Sequence, residues 1–529
     1  MRKHPVLGVA SAAAVAAVVV ALALALLEPD ASHPAEVRQG TATAPTRQDR
    51  PPETIVVVVF DELPLTSLMG PGERIDAERY PAFAALASDA SWYRGATAVH
   101  DSTALAVPAM LDGRYPRKGL QSDVYSHPQN LFTLLADSYE VNASEEATGL
   151  CPTSLCEPLE GTALSHLGGG KVRRFREFVR TIRPRPRPTL WFKHVLLPHV
   201  PWQFYPSGRH YRRHAPEPID GLNSETGFGV PWLVKVSYQR HLLQLGLADR
   251  LLGELLTHMR RMRLYRDALV VVVADHGIGF RTGFERRTVR PENVEDLAPV
   301  PLIVKLPGQR RGRVIDRHVE TIDVLPTILD LAGVEEPAGL DGSSLLEPVA
   351  ARAQAQSVTI FHRVGTELNT IGGQYSFDPR ELALRRAAAV RRKLAWFGSG
   401  DGPDAPGLYR IGPHRELLGR SVASVPLESG VATAQIHQER ELAEVDLDSG
   451  FVPGELTGTV PNGIPGGGRP IALALDGRIA AVGRTFSLAG SQEENFEVIV
   501  PERVFRSGAM DAQVYEIVMS DGRPALRPL

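Results

Sequence analysis

Four short stretches of this sequence place acids, imidazoles or hydroxyls beside an apolar run. TIVVVVF (54–60) is followed by Asp61-Glu62, and VVVVA (270–274) by Asp275-His276. The two adjacent carboxylates at the end of the first run can both reach a divalent cation, and an acid-histidine pair at the end of the second sits where open α/β sheets put their chemistry. Between them, TAVHDSTALAVPAMLDGRYP sets Ser102 and Thr103 just before a short helical stretch, where backbone N–H groups can face an anion. A hydroxyl there becomes a useful nucleophile once a metal or a base lowers its pKa; as an ordinary residue it would cap the helix. A fourth stretch, WFKHVLLPHVPWQFYPSG, holds Lys193, His194 and His199. One cation and two imidazoles at a strand end can grip the non-bridging oxygens of a phosphate or sulfate. Singly, each group has a structural reading: acids open loops, hydroxyls cap, histidines pack. Together, at the ends of successive apolar runs, they point to one site at the carboxyl edge of a sheet.

The elements that must position them are legible. TIVVVVF, WFKHVLL (191–197), ALVVVVA (268–274) and PLIVKL (301–306) are short, continuous apolar runs, as strands buried on both faces require. Between them YPAFAALASDA and the long stretch 238–260 repeat apolar residues at helical spacing. Alternating β and α signals predict an α/β fold with a mostly parallel central sheet flanked by helices. Near residue 340 the pattern fades. RELALRRAAAVRRKLAWFG reads as a basic-faced, solvated helix entering a strand, and GLYRIGPHRELLGR as a loop-rich end. From about Gly450 apolar and polar residues alternate, with Asp476-Gly477 as a hairpin signal, so 445–529 is expected to form a small all-β domain, a β-sandwich.

The chain has 529 residues, 43% of them hydrophobic and 22% charged, and a net charge of −3. That composition suits a globular protein and supplies no basic surplus for nucleic acid. Arg2 and Lys3 precede an apolar run from Val6 to Leu27, long enough to cross a bilayer, and EPD follows it. The expectation is a signal anchor over 1–27 with the remainder outside the cytoplasm, a single-pass protein of the cell membrane. Residues 28–53 read as a Pro-, Ala- and Thr-rich tether. A catalytic core over 54–345 and its C-terminal part over 346–444 complete the expected order. The chain's two cysteines, Cys151 and Cys156 in CPTSLC, read as a local disulfide outside the cytoplasm, since no further Cys or His lies beside them to complete a metal site.

Over about residues 54–345 the motifs resemble, in order, the sulfatase branch of the alkaline phosphatase superfamily. They are TIVVVVFDEL, STALAVPAMLDGRYP, FKHVLLPHVPW, VVVVADHG, VPLIVKLPG and VETIDVLPTILDLAGVEEPAGLDGSSLLEP. The resemblance implies that Asp61, Glu62, Asp275 and His276 hold one divalent metal ion, Mn²⁺, Mg²⁺, Ca²⁺ or Zn²⁺. It also implies that His199, with Lys193 or His194, contacts the transferred group. Counting back from Gly113 as the family motif does places the nucleophile on Thr103; Ser102 is the neighbouring alternative.

True sulfatases carry a Cys or Ser in a CxPxR-like motif that becomes formylglycine; here the stretch is TALAV. Threonine with an Asp-His pair instead resembles the membrane-anchored phospho-transferring relatives, although Glu62 beside Asp61 mixes the habits of the two branches. The expected activity is hydrolysis or transfer of a phosphate ester or phosphodiester of an envelope lipid or glycopolymer. The alternatives are a sulfuric ester hydrolase and a non-catalytic envelope protein that kept the fold. His318, the late histidine near a second-metal position, is assigned a structural role.

Overall fold

β1 (Thr54–Asp61) buries all of its residues. Side chains alternate across a strand, so Ile55, Val57 and Val59 enter one apolar cluster while Val56, Val58 and Phe60 enter another. Both faces are covered, which is why the run is continuously apolar instead of alternating. The computed structural model of the chain describes residues 50–156, 170–213, 229–347 and 357–529, apart from 366, 403, 404, 432, 462, 465, 489 and 492. The expected anchor and nearly all of the expected tether lie outside these residues. Among those described, no helix is long and apolar enough to cross a membrane.

The other strands of this sheet are β2 (Ser91–Thr97), β3 (Glu140–Ser144), β4 (Thr189–Pro198), β5 (Leu269–Ala274), β6 (Leu302–Lys305) and β7 (Arg313–Glu320). Their order is β3-β4-β1-β5-β6-β2-β7. β3, β4, β1 and β5 run parallel, as do β2 and β7, and only β6 is antiparallel to its neighbours. The expected mostly parallel sheet is therefore present. β1 pairs Phe60 with Val195 on β4 and with Ala274 on β5, so the three strands finish at one level.

The main helices are α1 (Pro81–Asp89), α2 (Thr103–Asp112), α3 (Lys171–Thr181), α4 (Pro231–Arg261), α5 (Val324–Ala332) and α6 (Pro379–Phe397). α2 and α5 pack Val107, Met110, Leu325 and Ile328 against the Ile55 face. α1, α3 and α4 cover the opposite face with Phe83, Phe175, Leu242 and Leu252. α1 begins with proline, which lacks an N–H, and Asp249 of α4 accepts the next two, Ala82 and Phe83 at 2.9 Å each. A buried acid of one helix thus caps another.

Two expectations change in the C-terminal third. The RELALRR stretch is α6, which stops at Gly398 without entering a strand, and its basic residues are not all solvated. Lys393 is buried and donates to the carbonyls of Ser67 and Met69, while Arg386 pairs with Glu73 and donates to Arg94 O. The two cations satisfy carbonyls and an acid that nothing local could reach, so tertiary packing overrides the amphipathic pattern.

The second change concerns the β-rich end, which is one seven-stranded sheet rather than two packed sheets. After a separate two-stranded sheet of β8 (Val358–His362) and β9 (Gly373–Phe377), its strands are β10 (Gln435–Ile436), β11 (Glu455–Val460), β12 (Gly467–Leu475), β13 (Arg478–Phe486), β14 (Glu494–Ile499), β15 (Ala512–Ser520) and β16 (Arg523–Pro528), ordered β10-β11-β14-β13-β12-β15-β16. Asp476 and Gly477, both at positive φ, make the β12–β13 turn that the dipeptide predicts. One face joins the α4 cluster through Leu456, Ile471 and Leu473; the other packs Ala472, Ile479 and Leu526 beneath Leu417 and Val422. A helix takes the place of the second sheet. Trp232 Nε1 of α4 donates to Glu497 O at 3.0 Å, and Tyr205 Oη to Val500 O at 2.6 Å. Residues 45–529 accordingly form one compact unit.

Candidate metal centre and nucleophile

Because β4, β1 and β5 end level, the segments that follow them meet. Asp275 N donates to Phe60 O at 3.2 Å. In return Asp275 Oδ1 accepts the N–H groups of Glu62 at 3.1 Å and of His276 at 2.7 Å. Gly277 follows with no room for a side chain: a Cβ there would lie 2.7 Å from the carbonyl oxygens of Asp296 and Leu297. The DHG tripeptide is thus clamped by its own backbone against the 294–298 segment.

Asp61, Asp275 and His276 each offer a buried ligand atom, all within 4.8 Å of one another. His276 Nε2 lies 3.7 Å from Asp61 Oδ1 and 3.6 Å from Asp275 Oδ2. The other ring nitrogen, Nδ1, sits 2.9 Å from Gly277 O, so the proton belongs on Nδ1 and the Nε2 lone pair faces the carboxylates. Burial lowers the His276 pKa against the pull of Asp275, keeping the ring neutral.

Two further observations fit a divalent cation here. Asp275 Oδ2 is buried with no hydrogen-bond partner among the described residues. Asp61 is pushed well above the usual carboxylate range, first by burial and then by the facing Asp275. Two carboxylates forced together in a dry site want a positive charge between them.

Thr103 is the first residue of α2. Its Oγ1 lies 3.0 Å from His276 Nε2 and 3.3 Å from Asp61 Oδ1, so the hydroxyl borders the Asp61, Asp275 and His276 group. Ser102 faces elsewhere: its Oγ donates to Leu368 O at 2.7 Å. Gly113, at φ 70°, ends the helix and accepts the N–H groups of Asp341 and Gly342 from the LDG motif. That contact ties α2 to the distant closing motif.

The remaining candidates surround this group without joining it. Glu62, at a positive φ of 62°, turns its carboxylate away. Oε2 accepts Val200 N–H at 3.2 Å and Oε1 lies 3.5 Å from Arg287 Nε. Burial would raise Glu62, yet His199, Arg287 and Arg286 together hold it well below the usual range. His194 Nδ1 bonds Glu145 at 2.8 Å, and its Nε2 lies 3.9 Å from Asp61 Oδ2. Burial opposes its charge, but Glu145, Asp61 and Asp275 raise it to about 9. His199 Nδ1 bonds Val200 O at 2.6 Å, leaving Nε2 facing Arg287 Nη1 at 3.3 Å; burial pulls this histidine down to about 3. Lys193 is engaged away from the site: Nζ pairs with Glu146 and donates to Ser144 Oγ at 2.9 Å, while Glu146 also holds Arg174 at 2.7 Å. His318 bonds Gly95 O at 3.2 Å, in keeping with a structural role. Cys151 and Cys156 form a disulfide, Cα–Cα 6.0 Å.

Some charged groups beside the candidate site had no motif to announce them. Arg287 reaches both His276 Nε2, at 3.0 Å, and His199, and is the cation best placed over the ligand group. Lys171, buried on the first turn of α3, donates to His199 O at 3.3 Å and feels Asp61 and Glu62 through space. Glu145 and Glu146, an acid pair at the end of β3, organise His194 and Lys193. The only available sequence signal was charge next to a strand end or in the loop after DHG.

The sulfatase family profile matches residues 53–334. Human arylsulfatase K is 33% identical over 99 residues, 18% of this chain and 18% of that protein. The multifunctional alkaline phosphatase superfamily protein PehA of Trinickia caryophylli is 32% identical over 144 residues, 25% of this chain and 24% of that protein. The matched stretches therefore span about a fifth to a quarter of these curated relatives. The solved phosphonate monoester hydrolase from Silicibacter pomeroyi superposes with a TM-score of 0.43 at 17% identity, covering 65% of this chain and 94% of that one. The profile match spans more than half of the sequence, from β1 through α5, and encloses Asp61, Thr103, Asp275 and His276: the chain belongs to the sulfatase family.

Proposed function

We propose that this protein is a metal-dependent phosphodiesterase or phospho-transferase that works through Thr103. The observation carrying this reading is the position of Thr103 Oγ1, within hydrogen-bond reach of both Asp61 and His276 at the helix N-terminus. Asp61, Asp275, His276 and Thr103 would hold one divalent cation, which when bound lowers the hydroxyl pKa and offsets charge on the substrate oxygens. Three oxygen donors and one imidazole suit Mn²⁺, Zn²⁺ or Mg²⁺.

Thr103 Oγ attacks phosphorus in line, the bond to the leaving oxygen breaks, and the proton given up by the threonine is recovered by the departing alcohol. Water or an acceptor alcohol then attacks the same phosphorus and releases Thr103. Arg287 stands where non-bridging oxygens would lie, and Glu62 beside its Nε and the accepting Nε2 of His199 hold its guanidinium in place. Threonine has no route to formylglycine, and both cysteines are in the disulfide, which supports phosphorus over sulfur. The disulfide also suits an oxidising compartment, in keeping with an anchor at 1–27, a body outside the cytoplasm and an ester substrate of the cell envelope.

The test is turnover of an aryl phosphodiester, monoester and sulfate panel, with elemental analysis of the purified protein. Diester cleavage abolished by Thr103→Ala supports the reading. Aryl sulfate turnover above that of the phosphate esters would replace it with a sulfohydrolase, and a purified protein that takes up no metal and turns over none of the panel would leave a binding protein.

A further inference from the structure

Beside the first turn of α2 lies a cavity of about 290 Å³ whose lining includes Leu105, Arg117, Lys118, Val364, Asn369 and Ile371. Two loops form it, and each is pinned to a residue next to Thr103. Ser122 Oγ donates to Ala104 O at 2.6 Å, and Ser102 Oγ to Leu368 O at 2.7 Å. Asn369 Nδ2 donates to Gln121 Oε1 at 2.9 Å and joins the two loops. Leu105 follows Thr103 by two residues, so the cavity opens within one helical turn of the nucleophile.

The lining has a definite chemistry. Arg117 and Lys118 are exposed, and neither has a hydrogen-bond or ion-pair partner among the described residues. Asn369 Oδ1 is buried and lacks a partner among the same residues. Leu105, Val364 and Ile371 supply an apolar wall, and Val364 and the neighbouring Leu368 are 51% and 45% exposed. Glu367, the acid of this loop, is exposed and does not line the cavity. Adjacent unpaired cations, one buried acceptor and a short apolar wall complement an anion that bears a hydroxyl on a small carbon skeleton.

We propose that this cavity is a substrate subsite that takes a hydroxylated anionic arm of the diester. The arm's carboxylate or phosphate lies between Arg117 and Lys118, and its hydroxyl donates to Asn369 Oδ1. The proposal rests on the phosphodiester reading above and names the substrate class for it: a diester with a second negative charge a few bonds from the reacting phosphorus. Arg117 and Lys118 determine specificity and touch no reacting atom.

The experiment uses the full chain with Mn²⁺ and two isosteric p-nitrophenyl phosphodiesters, one with a glycerol arm and one with a glycerate arm. The expected preference in kcat/KM for the glycerate ester falls about tenfold in the Arg117→Gln/Lys118→Gln protein, mainly through KM, and collapses for the wild type as salt rises. The charge-retaining Arg117→Lys/Lys118→Arg protein restores most of it, and Arg310→Gln/Arg311→Gln, an exposed pair on another loop, does not change it. Calorimetric titration supplies a readout that needs no turnover: 3-phosphoglycerate binds more tightly than inorganic phosphate, and only the Arg117→Gln/Lys118→Gln protein loses the difference. If wild type and variant bind the two anions alike and keep the same ester preference, the subsite is overturned while the Thr103 reaction stands. If no diester is cleaved, the reaction reading fails and the calorimetric difference alone decides the subsite.

Discussion

Thr103 Oγ1 stands 3.0 Å from His276 Nε2, a contact between the first turn of α2 and the end of β5. It selects one of two adjacent hydroxyls. Thr103→Ala is expected to lower kcat on an aryl phosphodiester by roughly 10³ or more with little change in KM, and Thr103→Ser to keep part of the rate. Ser102→Ala loses only its bond to Leu368 O and is expected to stay within about tenfold of the wild type. The opposite order of the two alanine variants would move the nucleophile to Ser102.

Asp275 makes a prediction about stability. Adding Mn²⁺ at about a hundred times its Kd should stabilise the wild type by roughly 2.7 kcal/mol and raise Tm by a few degrees. Asp275→Asn should abolish that rise. Its amide oxygen can still accept the N–H groups of Glu62 and His276, and it no longer repels Asp61. The metal-free variant should therefore be at least as stable as the metal-free wild type. A large loss of Tm without metal would mean that the charge itself holds the fold.

Between α4 and the C-terminal sheet, buried Glu497 lies beside Glu455, Arg240 and Arg212. Burial, then Glu455, raises Glu497 from an ordinary 4.5 to about 8, against the two arginines. The native state therefore holds a proton that the unfolded chain has lost between these values. The stability linked to it is complete below about pH 4.5 and disappears as pH rises through 8. Glu497→Gln should flatten this decline in denaturant titrations and exceed the wild type above pH 8 by roughly 1–3 kcal/mol. An unchanged pH dependence would place the proton elsewhere.

Lys193 is expected to act on stability. Lys193→Met breaks a fully buried pair and leaves Glu146 with Arg174 alone, which should cost about 3–5 kcal/mol. Adding Glu146→Gln should recover much of the loss. KM for the aryl diester should move less than about twofold in whatever protein remains folded. A rise in KM at unchanged Tm would instead put Lys193 on the substrate.

How much of this could be read from the chain depends on whether local composition or long-range packing decides each feature. Hydrophobic strands buried on both faces must be continuously apolar, so β1, β4, β5 and β6 and their acidic or histidine-bearing ends are visible in one dimension. β7 (RVIDRHVE) was not, because only its last two residues are buried and it mixes charges with apolar residues. The short strand β3 is only half-buried and equally silent. The Asp-Gly turn was legible because positive φ demands such residues, whereas a single sheet backed by a helix has the same alternation as half of a sandwich.

The site divides along the same line. Residue types and their order along the chain by themselves put Asp61-Glu62 and Asp275-His276 at strand ends and the Ser102-Thr103 pair before a helix, because donor chemistry and strand ends are local facts; the contact to His276 is what separates Thr103 from Ser102. Only the tertiary structure decided where each neighbouring charge is spent. Glu62 goes to Arg287 and Val200, Lys193 to Glu146, and Lys393 to carbonyls after β1, because a buried charge takes whichever opposite charge or carbonyl packing brings within reach. That choice of partner is made across hundreds of residues, and no spacing in the sequence records it.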